Sequence, residues 1–518
     1  MISAMEILLH TAEEKGNEIA LRDETHFVLY RELLVLAYQI SDDISKWLQG
    51  KNNLILVVTN KTVISVVAFW GIIASGNCYI AIDDKTPINR FNNIISKINP
   101  SLVIYADGKQ TDKLETDIHS IVLDAYLRKI TDHSLDAMNS SKKRESNLSI
   151  IGQDPLYLVF TSGSTGTPKA IVKSHQSLLQ FVEAFVKEFD LSKDKGQHQV
   201  FGNQASFDFD VSAKDIFISA YIGATLCLIP NKCFLLPAKL EPFLEDYGIT
   251  ILIWAAAAVK YVKQFDCFKK SVPSKLRKVF FSGESMSGES INYWREKKRD
   301  VEFVNLYAPS EVTGNCLYHI VTDEQYEDIL PLDRTIPNSE VLLIGENGTP
   351  IHDGEKGEIY VRGSFLAQGY YNDSEQTNLR FVQNPLNSQY RDIVYKTGDW
   401  VLKKGDRLYF CGRQDNQIKH MGHRIELEEI ETNIVKAIHC ENICVVYDTE
   451  RENIVVLTND TTLEFDHLVK TMKPFIPKYM IPHKIVYIEK IPQNSRGKID
   501  RKQAAKLYEE LMRCEKKS

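Results

Sequence analysis

Residues 161–169 read TSGSTGTPK, directly after an apolar run at 156–160 (LYLVF). Gly163 and Gly166 let a backbone turn tightly and aim several N–H groups at one point. Thr161, Ser162, Ser164 and Thr165 add hydroxyl donors, and Lys169 brings a cation to the same turn. A loop of this kind suits a polyphosphate. It is not a Walker A loop, because the GxxxxGK[ST] spacing is missing. A flexible Ser/Gly connector is the plain alternative, but so many turn-forming residues straight after a buried strand argue for a ligand.

Four further segments carry groups that such a ligand would need. They are NLYAPSE at 305–311, YKTGD at 395–399, GRQDNQIK at 412–419 with GHRIE at 422–426, and PQNSRGKIDR at 492–501. Taken singly they say little: Asp399 would read as a turn residue, Glu311 as an acid at a helix start, and Lys498 as a solvated lysine. Glu428, Glu429 and Glu431 read as acids in the first turn of a helix, where they complement its dipole.

Together and in this order, the five segments resemble the signature of the adenylate-forming superfamily, which includes acyl-CoA synthetases, luciferases and the adenylation domains of non-ribosomal peptide synthesis. The likeness spans essentially the whole chain. It implies activation of a carboxylic acid by ATP as its acyl-AMP, with Mg²⁺ as cofactor. Both reactants are anions, so positioning and charge neutralisation should dominate catalysis. By resemblance Tyr307 stacks on adenine and Asn305 bonds its edge, with Gly283 also in the nucleotide set. Asp399 takes the ribose hydroxyls beside Arg413, and Ser310 faces the phosphates. Lys169 and Lys498 are the catalytic lysines, Lys498 bridging substrate carboxylate and α-phosphate. Glu311 is the expected metal ligand, a hard oxygen for a hard cation. The likeness also places a hinge at Asp415, about which a C-terminal domain would turn to bring Lys498 in for adenylation and withdraw it for the second half-reaction. Ala308 stands where the family usually has Gly.

Residues 205–217 read ASFDFDVSAKDIF. Phe209, Asp210 and Ser212 resemble the segment of amino-acid adenylation domains whose aspartate meets the substrate α-ammonium, and a buried ammonium does need a carboxylate partner. The rival reading makes Asp210 a cap for the helix entering at Ser212. Further alignment offers Val211, Lys214, Ile253, Phe280, Ser282, Leu306, Gly314 and Asn315 as pocket residues. Lys214 would suit an acidic or carbonyl-bearing side chain, or it could pair with Asp210 or Asp215, or snorkel to water. No phosphopantetheine attachment segment ([LIM]-G-x-[DH]-S) follows, so the resemblance implies a stand-alone enzyme loading a separate phosphopantetheinylated carrier protein. An acyl-CoA ligase and a non-catalytic nucleotide-binding regulator are the alternatives.

These groups must be positioned by something, and the hydrophobic pattern says what. Short apolar runs at 54–58, 101–105 and 249–254 alternate with helical stretches at 63–74 and 178–189, predicting an α/β fold with buried parallel strands. Strands at 341–344 and 358–361 around the GENGTP turn predict a small β-rich region. Beyond 411–416 a helix at 427–437, strands at 443–447 and 454–457, a helix at 465–472 and a strand near 485–488 predict a separate α/β domain of about 100 residues. The expected division is 1–414, an AMP-binding domain, and 415–518, a small mobile domain.

A chain of 518 residues needs more than one core. Its net charge of −7, with both signs mixed, gives no basic stripe for nucleic acid. No apolar run reaches the roughly 18–20 residues that cross a bilayer, and no secretory leader is expected, because residues 1–16 (MISAMEILLHTAEEKG) carry acids where a basic leader would stand. The nine cysteines form no CxxC pair or Cys/His quartet, so reduced thiols, no structural zinc and a cytoplasmic location are expected. The basic tail at 513–517 is expected to fray.

Overall fold

The computed structural model describes all residues except 107–117, 124, 127, 129–148, 164–167, 193–197, 327, 414, 441, 494–498 and 516–518. It divides into two compact units. The larger comprises Met1–Asp84, Asn99–Phe160 and Ala170–Gly412; the smaller comprises Lys85–Ile98, Thr161–Lys169 and Arg413–Ser518.

The larger unit is built on three sheets. In one, the strands run in the order Gly369–Tyr370, Lys169–Ser174, Pro155–Thr161, Cys78–Asp83, Leu54–Thr59, Leu102–Tyr105 and Ser120–Val122. The last five of these pair in parallel. Leu54–Thr59 (LILVVT) is buried at every position, as a strand covered on both faces must be. In the second, Glu302–Tyr307, Lys278–Ser282, Ile251–Ala255, Val200–Asn203, Thr225–Leu228 and Ile19–Arg22 form a parallel core flanked by antiparallel strands. The helices Val63–Ala74 and Val211–Ile222 are apolar or small almost all round and buried on nearly every face, so they lie inside the core rather than on it. The third sheet is the expected β-rich region, with Ser339–Ile344 antiparallel to Lys356–Gly363 and the latter to Ile393–Lys404.

The helix His175–Glu188 starts at Ser174, whose Oγ accepts the Ser177 N–H at 3.1 Å. His175 is 1% exposed and its Nδ1 accepts the Ala4 N–H at 3.0 Å. Burial pulls this imidazole down from 6.5 to about 4. The folded state therefore resists protonation that the unfolded chain accepts. The stability due to neutral His175 is whole above pH 6.5 and is lost as pH falls towards 4. It should amount to about 2 kcal/mol between pH 7 and pH 5. Urea titrations of wild type and His175→Asn, which keeps an acceptor for Ala4, measure it: the variant should lose that much less stability over the interval. Parallel losses would remove His175 as the cause.

In the smaller unit, Ile443–Asp448 pairs antiparallel with Asn453–Thr458, which pairs in parallel with Lys484–Tyr487. Strand alternation gives this sheet two apolar faces. Val445, Ile454 and Val456 pack with Leu427, Ile430, Ile434, Leu468 and Met472 of the helices Leu427–Ile438 and Phe465–Met472. Cys444, Val446, Val455 and Leu457 pack with Ala504, Tyr508 and Met512 of the helix Arg501–Glu515. That helix includes residues 513–515, so the expected fraying does not begin at Arg513. Eight cysteines are described, all outside any disulfide and six of them buried.

Candidate active site

Parallel strands present their carboxyl ends to ligands, and several residues singled out above stand there. Tyr307 ends the strand Glu302–Tyr307, and its hydroxyl donates to Asp399 Oδ2 at 2.6 Å. Both are buried. Burial first, and then the neighbouring carboxylate, push the phenol well above its usual range, so it remains a donor. Asp399 owes its orientation to an irregularity in the strand Ile393–Lys404, whose register against Lys356–Gly363 shifts between Glu358 and Tyr360. Gly398 stands there at φ 78° and donates its N–H to Glu358 Oε1 at 2.8 Å. The Thr397 hydroxyl donates to Ile359 O at 2.8 Å while accepting the Asp399 N–H at 2.9 Å. The TGD spacing is thus the spacing of a bulge. Asn305 is buried, with Nδ2 donating to Pro331 O at 3.0 Å. Gly283, at φ 104°, follows the strand Lys278–Ser282.

A second group gathers around two acids, the buried Glu311 and the half-buried Asp210. The Tyr370 hydroxyl donates to Glu311 Oε1 at 2.6 Å, and Glu311 is 1% exposed. The Tyr157 hydroxyl donates to Asp210 Oδ1 at 3.0 Å, and Lys173 Nζ lies 3.6 Å from Asp210 Oδ2. The Lys173 ammonium, itself fully buried, also donates to the Ser310 carbonyl. Burial lowers its pKa, with Asp210 and Glu311 opposing. Asp210 stands at the start of the helix Val211–Ile222 but makes no capping bond, so the capping reading fails. Phe209 is half-buried, and its carbonyl accepts the Ser212 hydroxyl at 2.8 Å.

A third group lies one helical turn beyond Asp210. Lys214 Nζ donates to Asn315 Oδ1 at 3.0 Å and to Ser282 Oγ at 3.3 Å. Lys214 is only 4% exposed, and Ser282 and Asn315 are buried with it. Burial lowers the lysine from 10.5 to about 8 and raises neighbouring Asp215 from 3.8 to about 8. Asn315 is set by Gly314, at φ 75°, where an added Cβ would come within 2.3 Å of the Phe181 ring.

In the smaller unit, Thr161 is buried and the Ser162 hydroxyl donates to Arg424 O at 2.7 Å while accepting the Glu426 N–H at 3.0 Å. The Gly163 N–H donates to Glu429 Oε2 at 3.1 Å, and Arg90 reaches Glu429 Oε1 at 2.6 Å. Lys169 opposes the burial that raises the Glu426 carboxyl. Arg413 grips Asp415 with two bonds of 2.6 and 2.8 Å. Arg501 donates to Val445 O at 2.9 Å, Glu428 at 2.7 Å and Glu431 at 2.5 Å. The acids 428, 429 and 431 are therefore ion-pair partners of Arg90 and Arg501, not free first-turn charges. Ser164, Thr165, Gly166 and Lys498 lie outside the described residues.

Sequence reading missed Tyr157, Lys173 and Tyr370. Lys173 did leave a signal, being a lysine within an otherwise apolar strand (AIVKS). Glu311 stands without a cluster, since no group of three or more His, Cys, Asp or Glu able to hold a metal occurs among the described residues. A single buried carboxylate fits Mg²⁺, which keeps waters and substrate phosphates for its remaining ligands. No described helix is long and apolar enough to cross a membrane.

The AMP-binding enzyme family profile matches residues 8–371. Among curated proteins, zwittermicin A synthase ZmaJ of Bacillus cereus is 27% identical over 505 residues, 95% of this chain and 92% of that one. A D-alanine–D-alanyl carrier protein ligase of Bacillus licheniformis is 27% identical over 511 residues, 96% of this chain and 98% of that one. Among solved structures, the Vibrio cholerae adenylation domain AlmE in complex with glycyl-adenosine-5'-phosphate superposes with a TM-score of 0.80 at 20% identity, covering 98% of each chain. That likeness shows the adenylation-domain fold.

Proposed function

The chain belongs to the AMP-binding enzyme family, and from that premise we propose that it activates an amino acid with ATP and passes the aminoacyl group to the phosphopantetheine thiol of a separate carrier protein. The substrate carboxylate attacks the α-phosphorus, pyrophosphate leaves, and aminoacyl-AMP forms. The thiolate then attacks the acyl carbon and AMP leaves. Both steps join or separate anions, so the protein's task is to position them and offset their charge.

The observation that carries the amino-acid reading is the Asp210 carboxylate. It is half-buried, with 14% of its side chain exposed, makes no capping bond, is oriented by Tyr157, and has Oδ2 3.6 Å from Lys173. An α-ammonium entering there would meet a fixed carboxylate at low cost in reorganisation. Tyr307, Asn305, Gly283, Asp399 and Arg413 would hold the nucleoside, and residues 161–166 with Ser310 would hold the phosphates. Lys169 and Lys498 would offset charge on the reacting groups. Glu311, oriented by Tyr370, would hold Mg²⁺, which when bound neutralises phosphate oxygens. The carrier acceptor is supported by the D-alanyl carrier protein ligase, matched over nearly its whole length. ATP as co-substrate and the eight described cysteines, none of them in a disulfide, fit action in the cytoplasm.

Pyrophosphate exchange tests this. An amino-acid panel should support exchange where fatty and aryl acids do not, and Asp210→Ala should lower kcat/KM by about 10- to 100-fold. A holo-carrier protein, and not coenzyme A, should receive the product. Exchange with aryl or fatty acids alone would remove the amino-acid assignment.

A further inference from the structure

Lys214 is a buried cation without an anion. Its Nζ has two acceptors, the neutral Ser282 Oγ and Asn315 Oδ1. Among the described residues no carboxylate lies within ion-pair distance of it. The acids nearest in electrostatic terms, Asp210 and Asp215, are otherwise engaged. Asp210 faces Tyr157 and Lys173. Asp215 accepts the Asn203 amide at 2.8 Å, and burial pushes it towards its neutral form. A second buried lysine, Lys61, sits on the same side of the balance, donating to Gln204 O at 2.9 Å. Isolated buried ammonium groups are costly, and a fold has cheaper ways to fill this volume, since apolar residues of similar size serve as well or better. A lysine kept here is explained by something negative that arrives later.

The surroundings suit such a visitor. Lys214 follows Asp210 by four residues, so the two project from one face of the helix Val211–Ile222, neighbours about 5–6 Å apart at Cβ. Ser282 closes the parallel strand Lys278–Ser282, and Asn315 precedes the strand Leu317–Ile320. Their hydroxyl and amide can donate as well as accept. An acid and a base one helical turn apart match a ligand whose ammonium and second carboxylate are separated by a short carbon chain.

Resting on the proposed amino-acid activation, we infer that the substrate is an amino acid with a side-chain carboxylate, held at Lys214 with Ser282 and Asn315 while Asp210 holds its α-ammonium. The α-carboxylate is then the only acid left free to attack ATP.

The test is amino-acid-dependent pyrophosphate exchange by the full-length enzyme with aspartate, glutamate, asparagine, glutamine, alanine and leucine. The wild type should favour one of the two acidic amino acids over its amide. Lys214→Met, which keeps the volume without the charge, should lower kcat/KM for that substrate on the order of 30-fold, mainly through KM. The same variant should change the value for the corresponding amide by less than threefold, so the acid-to-amide preference should collapse. Thermal melting of Lys214→Met at or above wild type shows that the loss is one of recognition. A wild type that prefers an amide or a neutral amino acid overturns this inference and leaves amino-acid activation standing. A wild type that exchanges with no amino acid overturns the reading beneath it. Equal losses for acid and amide in Lys214→Met would assign Lys214 to the scaffold and overturn the inference.

Discussion

Lys498→Ala should slow amino-acid-dependent pyrophosphate exchange by about 10²–10³-fold, the effect of removing one charge-stabilising donor from a transition state. Carboxylate attack on the α-phosphorus brings two anions together, and the charge passes through the α-phosphate oxygens. A lysine used at that moment acts on kcat, so KM for ATP should move far less. The residues flanking the 494–498 segment are well held. Gln493 and Ile499 pair as an antiparallel bridge, the Asp500 N–H donates to Pro492 O at 2.8 Å, and Arg501 ties the following helix to Val445, Glu428 and Glu431. Truncating Lys498 should therefore leave thermal stability unchanged, and a melting curve run beside the exchange assay checks this. A loss below about tenfold would take Lys498 out of the chemistry.

Asp415→Pro should separate the two half-reactions. Proline fixes φ near −65° and so removes a rotation. If residue 415 is the pivot on which the second step depends, transfer to the carrier thiol should fall by about 10²-fold, the scale set by a misplaced reactant. Exchange should stay within a few-fold of wild type. The structure adds a control, because Asp415 also holds Arg413 through two short bonds. Asp415→Ala removes that pair without restraining the backbone. It should spare transfer if rotation matters, and damage it equally if the ion pair does. Loading of a holo-carrier protein, followed by intact-mass measurement, reads the second step alone. Equal losses in both steps for Asp415→Pro would end the hinge reading.

Much of the fold was legible because burial writes itself into short apolar runs. The runs at 54–58, 443–447 and 454–457 became Leu54–Thr59, Ile443–Asp448 and Asn453–Thr458. The helix at 63–74, too short to span a bilayer, became the buried Val63–Ala74. What stayed hidden was long-range polar pairing. An acidic stretch at a helix start looks the same whether water or arginine faces it, and Arg90 lies 339 positions from Glu429. Lys173 and Tyr157 carry no spacing relation to Asp210, since adjacent layers of the fold bring them to it. Asp210 itself sat where a cap belongs, and only its missing capping bond decides between the two readings. The pairing of Lys214 with Ser282 and Asn315 joins residues 68 and 101 positions away, which no local pattern records.

The two-faced sheet of the smaller unit sets an order for its assembly on the ribosome. Its first face can be covered once residues 427–472 have emerged, but the second must wait for Arg501–Glu515. Until that helix is made, Cys444, Val446, Val455 and Leu457 lack Ala504, Tyr508 and Met512, and keep only Ile488 and Ile491 of their buried cluster. A nascent chain stalled before residue 501 would thus present a sticky strand surface to its neighbours. The 15-residue helix is the seal on that half of the unit.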